Sequence, residues 1–116
     1  MPESVAAYRK ALEFGQQQLT LNPGNADLLG SMAKFAAKTG QKRLALELAG
    51  KAVTQGSGVR VLYNSGKAYG LAGDCARSSQ LLKKAFDNGY PRPEARRDPD
   101  LARLQAAPLA CTVPPI

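Results

Sequence analysis

Asp98 and Asp100 stand two residues apart, and Cys75 and Cys111 are the two thiols of the 116-residue chain. Paired carboxylates can share acid and base roles, and a thiolate can act as a nucleophile, but each needs a helper of a particular kind. The chain has no histidine to serve as base or ligand, and its cysteines form no CxxC, which removes the usual zinc arrangements and provides no disulfide framework. The expectation is therefore two free thiols in a reducing compartment, with Cys75 a small core residue of a helix. Asp98, followed by Pro99, reads as a helix N-cap, which accounts for the acidic pair without catalysis. The stretch GLAGD at residues 70 to 74 lacks the lysine and the spacing of a phosphate loop. A non-enzyme is expected, with no metal and no cofactor.

The charge balance points toward binding instead. Sixteen Lys and Arg against nine Asp and Glu leave a formal net charge of +7. Such an excess suits nucleic acid, an anionic surface or acidic peptide partners. No block of five or six like charges occurs; the densest clusters are pairs such as Lys42 with Arg43, Lys83 with Lys84 and Arg96 with Arg97. For most of these a solvated helix face is the default.

The elements that must position these charges follow from composition and periodicity. The chain is 44% hydrophobic but only 6% aromatic and has no tryptophan, so its core has to be close-packed Ala and Leu, which suits helices. By length it is one domain. It contains no run of about 18 apolar residues, and MPESVAAYRK lacks the basic-then-apolar order of a secretory signal, so a soluble cytoplasmic chain with no membrane segment is expected.

The chain also repeats itself. A shift of 33 residues matches Leu29 with Leu62, Lys34 with Lys67, Gly40 with Gly73, Leu48 with Leu81, Lys51 with Lys84, Ala52 with Ala85 and Gly56 with Gly89. These seven identities exceed the roughly two that ordinary residue frequencies would produce. A weaker copy lies upstream at a spacing of 34, where ALE at 11 to 13 matches ALE at 45 to 47. Each unit reads as helix, tight turn, helix. The predicted helices cover 3 to 21, 26 to 39, 42 to 55, 59 to 72 and 75 to 88, followed by a short closing helix after Asp98 with Leu101 and Leu104 as its apolar stripe.

Leu62, Gly66, Tyr69 and Gly73, followed by Ser78 and Ala85, resemble the tetratricopeptide repeat; so do Leu29, Ala33, Ala36, Gly40, Ala45 and Ala52 in the preceding unit, with Pro23 as a terminating proline. The stretch AFDNGYPRPEARRDPDLARLQ resembles the ends of bacterial arrays of that family. The resemblance implies an all-α fold of antiparallel helix-turn-helix repeats, stacked as a short right-handed solenoid with a C-terminal capping helix. It places about two and a half repeats and the cap in residues 1 to 106. The Pro-rich residues 107 to 116 are expected to be a disordered tail.

In that family the first helices of successive units line a concave groove. Carried onto this sequence, the groove presents Lys34 and Lys38 from one unit and Arg60, Tyr63, Asn64 and Lys67 from the next, with Gly70 leaving room for a ligand or a close helix. Lysines there would attract an acidic peptide, and Asn64 would hold an extended backbone. The function implied is protein-protein interaction, by itself or as a module of a larger protein. RNA or other nucleic-acid binding by the basic surface is the alternative, weakened by the small number of repeats.

Overall fold

A computed structural model describes residues 2–116, with side chains from Val5 onward. Among the described residues there are seven helices and no strand. These are α1 (Pro2–Leu21), α2 (Ala26–Lys38), α3 (Lys42–Gln55), α4 (Val59–Leu71), α5 (Cys75–Asp87), α6 (Arg92–Arg96) and α7 (Pro99–Gln105). The first five lie within one residue of their predicted bounds, and α7 is the closing helix expected after Asp98; α6 was not foreseen. No helix is long and apolar enough to cross a membrane among the described residues.

Helices α2, α4 and α5 stop where the sequence supplies a glycine able to adopt a left-handed backbone. Gly40, Gly73 and Gly89 have φ of 80°, 102° and 98°, and each closes its helix the same way. Around Gly40 the Gln41 amide donates to the Ala36 carbonyl (2.9 Å) and the Gly40 amide to Ala37 (3.2 Å). Asp74 to Tyr69 (2.8 Å) with Gly73 to Gly70 (3.0 Å), and Tyr90 to Ala85 (2.9 Å) with Gly89 to Phe86 (3.1 Å), repeat the pattern. This double closure satisfies carbonyls that a helix end leaves open, and a side chain at the glycine would strain it. Asn25, Asp74 and Asp98 cap the starts of α2, α5 and α7 through their carboxamide or carboxylate oxygens.

Three-residue turns fold α3 back on α2 and α5 back on α4, and α2 packs on α4 to join the pairs. The 33-residue repeat is kept residue for residue: α2 and α4 are both 13 residues long, and the six buried positions of α2, from Leu29 to Ala37, are all buried again 33 residues later in α4. The core between them is largely alanine. Ala33, Ala36, Ala45, Ala49, Ala52, Ala68 and Ala85 are fully buried, which lets backbones approach closely. At Gly66 a Cβ would come 3.1 Å from Leu82 Cγ, so the small residue suits the close crossing of α5.

The two ends of the stack differ. At the N-terminal end α1 packs on α2 through Leu12 but leaves Phe14 61% and Leu21 80% exposed. At the C-terminal end the chain turns back after Tyr90, and α7 lies on α4 with Leu101 and Leu104 buried. Residues 107–116 continue this return, contrary to the disordered tail anticipated from their prolines. The Cys111 amide donates to the Leu104 carbonyl (2.7 Å), and Leu109, Val113 and Ile116 pack against the core. The free-thiol expectation is also corrected, because Cys75 and Cys111 form a disulfide across 36 residues. Two lone cysteines carry no spacing signature; what pairs them is a reversal of chain direction that only the fold supplies.

Candidate functional site

The basic face is built on one side of α2 and of α4. Lys34 and Lys38 lie one turn apart on α2, and Tyr63 and Lys67 lie one turn apart on α4, a spacing that aligns side chains on one helix face. The face is not bare. The return of the chain places Asp98 and Asp100 on it, and their carboxylates take up most of its donors.

Lys67 Nζ donates to Asp98 Oδ2 (2.7 Å) and to Asp100 Oδ2 (3.0 Å), and the Tyr63 hydroxyl donates to Asp98 Oδ2 (2.6 Å). Lys38 Nζ pairs with Asp100 Oδ1 (2.8 Å) and also reaches the Tyr8 hydroxyl at 3.4 Å. The remaining Asp98 oxygen accepts from the Asp100 amide (2.9 Å), so the carboxylate that caps α7 is also an acceptor for two side chains of α4. Every carboxylate oxygen of the pair has a donor, which is the condition under which buried charge is tolerated.

Aromatic rings frame the cluster. Tyr63 stacks on Tyr90 with centroids 3.7 Å apart, and Lys67 lies 4.7 Å from the Tyr63 ring. On the α1 side Tyr8 stacks on Phe35 at 5.5 Å, with Lys38 4.9 Å from Tyr8 and Lys34 5.0 Å from Phe35. Each of these cation-ring contacts contributes about 0.5–1 kcal/mol where exposed and more when desolvated.

The electrostatics separate satisfied groups from an unsatisfied one. Burial pushes the Asp98 carboxyl up, but hydrogen bonds from Lys67, Tyr63 and the Asp100 amide outweigh it and hold the group below its ordinary 3.8. Burial pulls Lys38 down, and its contact with Asp100 more than restores it, so its ammonium is held above the ordinary 10.5. Burial and the Asp98 carboxylate push the Tyr63 hydroxyl far above its usual range. Lys34 goes the other way: burial and then the repulsion of Lys67 and Lys38 lower it, and the attraction of Asp100 and Asp98 only partly compensates. Among the described residues no carboxylate pairs with Lys34.

The predicted site residues thus fall into two sets. Lys67 and Tyr63, 4% and 2% exposed, are covered by α7 and its approach, so they are not groove surface available to a visitor. Lys38 is engaged by Asp100 and Tyr8 with its side chain 13% exposed, whereas Lys34 and Asn64 are half-buried and Arg60 is exposed, and these three remain reachable. Gly70 makes room for a close helix: a Cβ there would come 2.5 Å from Leu104 Cδ2 and 2.6 Å from Ser78 Oγ. Asp98, Asp100, Tyr90 and Tyr8 belong to the site and were not assigned to it from sequence. For the aspartates a signal existed, since two carboxylates flanking a proline complement lysines at helical spacing, but the capping role had already accounted for them.

No protein-family model matches the chain, and no curated protein matches it.

Proposed function

We propose that the chain is a non-catalytic docking module, a short right-handed helical-repeat solenoid of the tetratricopeptide kind, that receives an acidic peptide segment on its basic inner face. The observation that supports this reading is the manner in which the face holds Asp98 and Asp100. Two lysines and a tyrosine there already bind a pair of carboxylates in the geometry that recognition of an acidic partner requires. Lys34, Arg60 and Asn64 extend the same face with donors that pair with no carboxylate among the described residues. For a nucleic acid the face offers less, because Tyr63 is stacked on Tyr90 and is not free to receive a base.

Exposed ion pairs contribute about 0.2–1 kcal/mol each, so binding through Lys34 and Arg60 is modest, with Kd in the micromolar range or weaker, about 8 kcal/mol or less. It also weakens with salt, as the Debye length contracts from about 10 Å at 0.1 M to about 3 Å at 1 M. The test is fluorescence anisotropy with a labelled Asp/Glu-rich octapeptide. A Lys34→Glu, Arg60→Glu protein is expected to keep its helical circular dichroism and lose the peptide. Undiminished binding by that protein would sink the reading.

A further inference from the structure

Resting on the docking reading above, we infer that the Asp98–Asp100 turn is an intramolecular ligand of the basic face, kept in place by the Cys75–Cys111 bridge, and that a dithiol reductant opens the face to an acidic segment supplied in trans. The ligand chemistry follows from the occupant: two carboxylates two residues apart, flanking a proline, at the start of a helical turn.

Three observations carry the inference. First, α7 is seven residues long, too short to persist as a helix without its seat, so its position is set by what it touches. Those contacts are the buried Leu101 and Leu104, the carboxylates on Lys38, Lys67 and Tyr63, and the bridge. Second, the bridge is coupled directly to α7: Cys111 donates its amide to Leu104 in the last turn of that helix, and Cys75 is the first residue of α5, which packs on α4. With the bridge closed, the return segment is fastened at both ends and α7 cannot swing away. With it open, the chain at Asn88–Pro91 is the segment's only covalent tether, and its seat rests on Leu101, Leu104 and the Asp98 and Asp100 contacts alone. Third, the face is overcharged even when occupied, since three lysines meet two aspartates and Lys34 is left facing Lys38 and Lys67. A segment that brings a further carboxylate to Lys34 therefore competes favourably with Asp98 and Asp100.

The opening step is a thiol-disulfide exchange. A thiolate of the reductant attacks Cys75 Sγ, the half-buried member of the pair, the Cys75–Cys111 bond breaks, and Cys111 leaves as a thiolate that takes a proton. The second thiol of the reductant then displaces Cys75 from the mixed disulfide. The two electrons and two protons come from the dithiol, which ends as a disulfide.

The experiment uses the full chain and a fluorescein-labelled peptide of sequence DPDLARLQ, the chain's own residues 98 to 105, with an Asn-Pro-Asn counterpart as control. The chain reduced with dithiothreitol is expected to bind the Asp-Pro-Asp peptide at least tenfold more tightly than the oxidised chain and to ignore the control. A Cys75→Ser, Cys111→Ser protein is expected to bind whether or not reductant is present. Should that protein not fold, amide exchange on the native chain decides: on reduction the α7 amides are expected to exchange at least tenfold faster while those of α4 stay unchanged. Equal peptide binding before and after reduction, unchanged α7 exchange, or collapse of the helical signal on reduction would each overturn the latch. If α7 exchange accelerates but the reduced chain takes no peptide, the docking reading itself fails; if the octapeptide binds through Lys34 and Arg60 without any effect of reductant, only the latch fails.

Discussion

Helices α2 and α4 are the same helix twice over. They have the same length, every position buried in α2 is buried again in α4, and a lysine stands at the same register, Lys34 in one and Lys67 in the other. Lys67 is buried, holds two carboxylates and lies over Tyr63; Lys34 is half-buried and meets two other cations. The difference follows from what is laid over each helix: α7 covers α4, where Gly70 makes room for Leu104 and where α2 has Ala37 at the same register. Register decides where a side chain points, but the partner laid over it decides whether the residue acts as structural support or as an accessible charge.

The sharpest break of this comparison removes the acids. Asp98→Asn with Asp100→Asn leaves Lys67 charged and buried without a counter-ion, which costs about 3–5 kcal/mol and is read as a fall in the urea midpoint. A smaller effect comes from exchanging the residues that admit or refuse α7. Gly70→Ala drives a methyl into Leu104 and Ser78 and is expected to destabilise by about 1–3 kcal/mol despite the better helix propensity of alanine. Ala37→Gly, at the same register in α2, is expected to cost only about 0.5–1 kcal/mol, and thermal melts of the two proteins would rank them.

Acid titration addresses the same contact without mutation. Asp98 has a folded pKa below its ordinary 3.8, so its stabilising effect is complete above that value and is lost as pH falls through the lower, folded value. Lys67, Tyr63 and the Asp100 amide all face the carboxylate, so its protonation should release Tyr63 and Tyr90 from each other, visible in tyrosine near-UV dichroism below pH 3.8. The smallest expected effect is Lys34→Gln. Because burial and two like charges disfavour that ammonium, its removal should leave stability unchanged or raise it by a few tenths of a kcal/mol, within the about 0.5 kcal/mol typical of surface changes, while weakening the octapeptide. A loss above 1 kcal/mol would mean that Lys34 supports the fold as Lys67 does.

Most of the scaffold could be read from the chain because its determinants are local. The glycines at 40 and 73, the 33-residue identities and the small residues at 33, 52, 66 and 85 each state a turn or a close approach within one unit. The site was legible only by half. Lys34, Lys38 and Lys67 could be placed on one face from helical spacing, but the cover over Lys67 depends on Asp98 and Asp100, more than 30 residues away, and on a chain reversal after Gly89 that no periodicity encodes. Asp98 had a sufficient local explanation as a cap, and Cys75 and Cys111 had none at all, so nothing in either neighbourhood announced the contact each makes at long range. Tyr90 reads as the residue after a helix, and only the fold brings its ring onto Tyr63.

The order of synthesis gives the long reach of α7 a further meaning. Each helix pair can close as soon as its own residues exist, whereas Lys67 must wait 31 residues for Asp98, and Cys75 must wait 36 for Cys111. At a ribosomal pace of about 5–20 residues per second, that interval is about 2–7 s. During it Lys67 exists without the two carboxylates that pair with it in the finished fold. The seating of α7 on α4 and the closing of the bridge are therefore the last contacts the described chain can make.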